Sequence, residues 1–425
     1  MPYILNVKSY IFRFAKHELI TGSFFLFAGG MVGNFFAFLL NLFLARNLSY
    51  ADYGIFASLL AIVSLAYIPG QSINTIIVKF ATRFFADGQM DKFAVFYQVS
   101  FKVLFVIALT FFMIFVVLAY PISSFLKLDN LYYGLIIAAI VGVYYVGILN
   151  HAFLQSLLKF LTLSSINVFS SFIKLIAGVL FVYLGFAAFS GLLAILFMAI
   201  GAFLIAFIPL RKYVNKTSKT KISFPNNEIM SYSIPAFFTV FFLTSLTSSD
   251  VILVRHFFDA KQAGFYAGLS LIGKVIFYFT APIPSVLFPL LVKRHTIGAS
   301  YKKLFYLAVF LVFIPSLGIT LFYLMFPHFV INLFLGGREY SEMSRFLGIF
   351  GLYIMLVSLT SVCINFFLSF NETKVWVIVI PFAILQILLI SLFHASFYQV
   401  IYLSILSAFG LLIVLFLYYF KKFGI

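Results

Sequence analysis

The chain has 425 residues, 64% hydrophobic and only 9% charged. A soluble domain carries about a quarter of its residues as charges, so this composition excludes a water-soluble fold and leaves room for many spans of roughly 20 residues. The net charge of +17 would suggest nucleic acid in a soluble chain. Here most lysines and arginines sit in short connections between apolar runs, which is how membrane proteins set their orientation, and no nucleic-acid partner is expected.

At the N-terminus, Ile4, Leu5, Val7, Ile11 and Phe14 interleave with Lys8, Arg13 and Lys16. The pattern predicts an amphipathic helix on the membrane surface rather than a cleavable signal peptide. Twelve apolar runs follow, at about 22–45, 53–77, 97–119, 131–154, 165–185, 188–210, 233–254, 264–291, 304–326, 346–369, 374–394 and 397–419. They are too long and too uniformly apolar for barrel strands of about 10 residues, so all are predicted to be helices. The polar linker Arg211 to Asn227 divides them six and six, giving an N-terminal half, 1–215, and a C-terminal half, 216–425. Cations favour the connections on the side of the termini by roughly three to one. That bias predicts a multi-pass protein of the cytoplasmic membrane with both termini cytoplasmic. The expected fold is an all-α polytopic membrane protein of about 12 transmembrane helices, in two halves of the same orientation.

One polar segment occurs twice. Asn41-Leu42-Phe43-Leu44-Ala45-Arg46 precedes Gly54-Ile55-Phe56-Ala57-Ser58-Leu59, and Asp250-Val251-Ile252-Leu253-Val254-Arg255 precedes Gly264-Phe265-Tyr266-Ala267-Gly268-Leu269. Each copy follows the first span of its half. Two halves with an even number of helices are related by an axis along the membrane normal, and duplicated membrane units usually place a substrate site between them.

A charge in mid-membrane costs at least ~2.5–3.5 kcal/mol and normally faces a wet cavity or a partner. Lys174 shares a helix face with Asn167, Ser170 and Ser171, and Lys274 has Ser270 and Tyr278 one turn to either side. As one cation per half on a polar stripe, they are candidates for binding an anionic substrate; the alternative is snorkelling to an interface. Lys102, near a span end, fits snorkelling better. Asp250 is the only acid within a span, preceded by Thr244, Ser245, Thr247, Ser248 and Ser249. It is a candidate to bind a coupling cation, take up a proton or pair with a nearby Arg or Lys, or else a helix-end acid. On the first span, Gly30, Asn34, Ala37 and Asn41 share a face, with Gly29 and Gly33 beside it. The glycines fit close helix packing, and Asn34 and Asn41 are candidates either for sugar hydroxyls or for helix–helix bonds. Pro69-Gly70, Pro282, Pro284 and Pro289 are expected to interrupt the second and eighth spans.

No P-loop, HExxH, GxSxG or acid cluster is present, the six histidines are scattered, and the single Cys363 lies in an apolar run. Neither catalysis nor a cofactor or metal is expected.

Thr21-Gly22-Ser23-Phe24 leading into Gly29 and Asn34, then Ala45-Arg46-Asn47-Leu48-Ser49-Tyr50-Ala51-Asp52-Tyr53-Gly54, resembles the opening of polysaccharide and O-antigen flippases. These belong to the multidrug/oligosaccharidyl-lipid/polysaccharide exporter (MOP) superfamily. Asp250 to Arg255 with Gly264-Phe265-Tyr266 resembles the second-half counterpart. Gly70 to Lys79 and Phe288-Pro289 to Lys293 resemble family positions at the cytoplasmic ends of the second and eighth spans. The resemblance implies two six-helix bundles around a central cavity and translocation of an undecaprenyl-diphosphate-linked oligosaccharide for surface polysaccharide or lipopolysaccharide synthesis. Lys174 and Lys274 would then face the diphosphate, and Arg46 and Arg255 would either receive it near the outer mouth or anchor helix ends. Implied partners are the lipid-linked substrate, membrane lipid and other polysaccharide-assembly membrane proteins. A multidrug/cation antiporter of the same superfamily is the first alternative, disfavoured by two cations against one acid. A membrane glycan ligase or polymerase is the second, disfavoured by the short outer connection from about Phe326 to Arg345.

Overall fold

The computed structural model describes residues 28–214, 227–284, 287–288, 290–291 and 300–423. The N-terminal amphipathic segment, the Thr21 to Phe24 motif, most of the polar linker, Pro289 and Lys293 lie outside the described residues. The first half contains α1 (Ala28–Asn47), α2 (Tyr50–Ala86), α3 (Met90–Phe125), α4 (Tyr132–Ser156), α5 (Phe160–Tyr183) and α6 (Phe189–Val214). The second contains α7 (Asn227–Leu246), α8 (Ser249–Phe257), α9 (Ala260–Gly273), α10 (Val275–Thr280), α11 (Lys302–Met325), α12 (Pro327–Leu335), α13 (Ser344–Ser369), α14 (Trp376–Leu392) and α15 (Phe397–Phe423).

Among the described residues, 11 helices are long and apolar enough to cross a membrane, and the bent pair α7–α8 brings the number to 12. Helix is imposed by the solvent, because lipid offers no partner for backbone N–H and C=O groups. The α2 and α3 helices have 37 and 36 residues. At 1.5 Å per residue each is about 55 Å long, well over a hydrocarbon layer of about 30 Å. Both exceed the apolar runs seen in sequence, because hydropathy marks where lipid ends and not where the backbone ladder ends.

In the first half α4 is the hub, packed against α2, α3 and α6. In the second half α13 holds that place against α11 and α15 and is buried along nearly its whole length. Gly29 and Gly33 let α1 lie against α5: a Cβ at Gly29 would strike Ser164, and one at Gly33 would come 3.1 Å from Ser171 Oγ.

The proline expectation is corrected at Pro69, where α2 continues unbroken. Gly70 leaves room for Tyr144, whose hydroxyl donates to Tyr67 O at 3.1 Å, while Tyr145 donates to Ala66 O at 2.9 Å. Side chains of α4 thus occupy carbonyls beside the position where proline supplies no N–H. In the eighth span the α-helix does pause, at Ala281, directly before Pro282.

The seventh span breaks where no proline stands, bending 47° between Leu246 and Ser249. Its Ser/Thr run is the cause. Thr244 Oγ1 bonds Val240 O at 2.9 Å, Thr247 Oγ1 bonds Thr244 O at 3.1 Å, and Thr247 N and Ser248 N tighten to i−3 carbonyls. Side chains that bond the local backbone compete with the helical ladder.

The halves meet through α2, which packs against α7, α8 and α9. The tightest point joins the two repeat copies: a Cβ on Gly54 would lie 2.9 Å from Gly264 N, and one on Gly264 would strike the Tyr50 carbonyl. Gly264→Val should therefore lower stability by about 1–3 kcal/mol through overpacking, read as a fall in thermal unfolding midpoint of the purified protein. Gly30→Val, where nothing lies within 4 Å, should leave the midpoint unchanged.

Candidate functional site

The repeat is reproduced in three dimensions. Ser49 caps α2 by accepting from Asp52 N at 3.1 Å, and Asp259 caps α9 by accepting from Gln262 N at 2.8 Å. The arginine of each copy reaches into the opposite half. Arg46 donates from Nε to Phe334 O at 2.7 Å and from its terminal nitrogen to Leu333 O, in the last turn of α12. Arg255 donates from Nε to Leu126 O at 3.1 Å and from its terminal nitrogen to Lys127 O at 3.4 Å, just past the end of α3. Both helix ends turn through left-handed backbone, at Lys127 (φ 52°) and Gly336 (φ 78°). The last carbonyls of a helix lack intrahelical partners and favour a cation. A guanidinium from the other half supplies that cation twice over.

Around these arms lie further cross-half contacts. His256 Nδ1 is 2.6 Å from Phe125 O with the two rings stacked, and Tyr340 donates to Ala45 O at 3.3 Å. The Tyr50 ring sits 4.8 Å from Phe265 and 4.9 Å from Tyr340. These bonds from Arg46, Arg255, His256 and Tyr340 tie the two halves together at this end.

The other candidates are spread below that closure. Lys174 is buried on α5, and no acidic group of the described residues pairs with it. The neighbouring Ser170 hydroxyl is buried without a partner. Lys274 is half-buried at the junction of α9 and α10, close enough to Asp250 for their charges to interact. Asn34 is exposed, and Asn41 donates to Ala37 O at 2.8 Å within its own helix. Lys102 is exposed.

Asp250 is fully buried at the start of α8, directly after the break in the seventh span. Its Oδ2 accepts from Tyr266 at 3.0 Å; the backbone amides of Asp250 and Val251 face the carboxylate, and Oδ1 has no well-aligned hydrogen-bond partner. Beside it, Gln386 Nε2 of α14 lies 3.1 Å from Leu246 O and 3.1 and 2.9 Å from the Tyr353 and Ser404 hydroxyls, its two N–H groups shared among the three. Tyr353 also donates to Leu246 O. A carbonyl only accepts, so the Gln386 nitrogen must face Leu246. Its Oε1 is left buried and unpaired. Two orphan acceptors, one of them a carboxylate oxygen, each cost about 1–3 kcal/mol or more, and a proton or small cation would relieve that cost.

Tyr266 stands in the repeated segment, but Tyr353, Gln386 and Ser404 were not singled out in the sequence; the signal for them is a Gln inside an otherwise apolar span. The first half has a polar cluster that was also missed. Asn74 donates to Gln155 at 3.2 Å and lies 3.5 Å from His151, near the stacked Tyr67 and Tyr144 rings.

Solved membrane transporters distant in sequence share this fold. An inward-facing multidrug-resistance MATE transporter superposes with a TM-score of 0.69 at 13% identity, covering 92% of this chain and 96% of that one. The lipid II flippase MurJ, in an inward closed conformation, gives 0.68 at 13% identity, covering 95% and 87%. The eukaryotic MATE transporter AtDTX14 gives 0.66 at 13%, covering 95% of both chains. No curated protein matches the sequence. Residues 43–345 match the model of the polysaccharide biosynthesis protein family, and the chain belongs to that family.

If the two arginines hold the closed end, removing both should open it. Spin labels on Asp129→Cys and Gln262→Cys in a Cys363→Ala background report the separation there. Arg46→Gln with Arg255→Gln should shift the distance distribution to longer values; an unchanged distribution would assign the closure to the Gly54–Gly264 contact alone.

Proposed function

We propose that this protein is a flippase of the cytoplasmic membrane that moves an undecaprenyl-diphosphate-linked oligosaccharide from the cytoplasmic to the outer leaflet by alternating access, for surface polysaccharide synthesis. The observation that carries the reading is a MOP-type fold, tied at one end by polar contacts between the halves, with a lysine in each half, Lys174 without an acidic partner among the described residues and Lys274 facing the charge of Asp250. In this reading 1–215 and 216–425 are the moving halves, both termini are cytoplasmic, and the arginine-closed end is the outer one. The diphosphate meets Lys174 and Lys274 while the prenyl chain stays in lipid. Asn34, Asn41 and the Asn74, His151 and Gln155 cluster offer hydrogen bonds to sugar hydroxyls. Opening the outer end frees Arg46 and Arg255 from their carbonyls, and they then receive the diphosphate on its way out.

Asp250 is the coupling residue of this scheme. With its orphan oxygen, it takes up a proton or small monovalent cation. That event removes its attraction for Lys274, so occupancy of the buried site changes the charge presented to substrate. A multidrug antiporter is the competing reading, favoured by the MATE neighbours; two lysines against one acid suit a cationic drug poorly.

The test is flipping of lipid-linked oligosaccharide in reconstituted vesicles. Each charge-assisted hydrogen bond is worth about 1.5–3 kcal/mol, so Lys174→Ala with Lys274→Ala should slow flipping at least about 10-fold at unchanged folded yield. Undiminished flipping, or dye efflux without lipid-linked sugar transport, would sink the reading. Asp250→Asn should abolish the response of flipping to imposed proton and sodium gradients; a retained response would place coupling elsewhere.

A further inference from the structure

At the cation-rich end of the first half, away from the closure, lies a cavity of about 550 Å³ lined by Lys159, Ile208, Pro209, Arg211 and Lys212. Lys159 comes from the tight turn between α4 and α5, where Leu158 adopts a left-handed φ of 54°. The other four come from the last turns of α6. Lys159 Nζ and Lys212 Nζ sit 5.0 and 5.1 Å from the centroid of one ring, that of Tyr213. Three cations therefore converge on a cavity with no acidic lining residue, and the ring faces only part of that charge.

The wall leading into the membrane is apolar. Phe197, Ile200, Leu204 and Ile208 recur every three or four residues along α6 and are 50%, 40%, 58% and 71% exposed. They form one outward stripe that extends the cavity about 16 Å down the helix. Multiple positive charge at the membrane surface, joined to an apolar track, fits an amphiphile whose head carries phosphate. Basic pockets between helices on the cytoplasmic side hold such headgroups.

We infer that Lys159, Arg211 and Lys212 form a binding site for an anionic membrane phospholipid, best matched by a doubly charged headgroup such as that of cardiolipin, with its acyl chains on the α6 stripe. The site sits on the flank of the first half and is independent of the transport reading.

The experiment is native mass spectrometry of the full-length protein in detergent, titrated separately with cardiolipin, phosphatidylglycerol, phosphatidylcholine and inorganic phosphate. Each basic residue near an anionic lipid contributes about fivefold. Cardiolipin should therefore bind at least about 10-fold more tightly than phosphatidylcholine, and Lys159→Gln/Arg211→Gln/Lys212→Gln should remove that preference. Lys79→Gln/Lys302→Gln/Lys303→Gln, an equal charge change elsewhere, should keep it. If the first triple variant does not fold, Lys159→Gln alone should still weaken cardiolipin binding about fivefold. No preference among the lipids, equal loss in both triple variants, or full competition by inorganic phosphate would overturn the proposal. Displacement of cardiolipin by lower concentrations of a polyprenyl diphosphate would reassign the site from bulk lipid to a transported head group.

Discussion

The structure depends on one unusual closeness, the meeting of α2 and α9 at Gly54 and Gly264 without side chains between them. Only with the backbones that near can Arg46 and Arg255 reach helix ends in the opposite halves. The arms use main-chain carbonyls as acceptors, so they need a particular geometry of the α3 and α12 ends, and the Asp129 and Asp52 carboxylates add attraction for Arg255. Those ends are fixed in turn by left-handed residues, Lys127 and Gly336. The closure is thus a set of mutual requirements between two copies of one segment.

The copies are not equivalent. The first carries Asn41, which spends its amide on its own helix. The second carries Asp250 in a buried network with Tyr266, beside a span broken by serines and threonines. Breaking the span releases Leu246 O from the ladder and lets Tyr353 and Gln386 take it, which brings α13 and α14 around the carboxylate. The symmetric parts hold the halves together, and the asymmetric part gives one half a chemistry the other lacks.

Much of this was legible in the residues. Twelve apolar runs, a central basic linker and a repeated Gly-x-aromatic-Ala-small-Leu segment specify two six-helix halves, because lipid leaves the backbone no other option. Gly29 and Gly33 of α1 read correctly as packing positions, whereas Gly30, on the neighbouring face, has nothing within 4 Å and packs against no helix. Contacts between elements distant in sequence were not legible. Arg46 shows its charge and its helix end, but nothing nearby says that its acceptors lie 287 and 288 positions away. The break in the seventh span was hidden for another reason: a run of serines and threonines before an acid does not say whether the hydroxyls face a cavity or, as Thr244 and Thr247 do, bond the backbone. Pro69 misled in the opposite direction, since tyrosines of the neighbouring helix brace the turn around it by donating to Ala66 O and Tyr67 O.

The position of the glycine contact has a mechanical consequence. Gly54 lies near one end of α2, so some 32 residues, about 48 Å of rigid helix, extend beyond it. With a fulcrum so near one end, a tilt of about 10° would carry the far end of such a rod by about 8 Å, while the glycines need only roll against each other. A small motion at such a pivot would be geared into a larger displacement at the opposite end of α2.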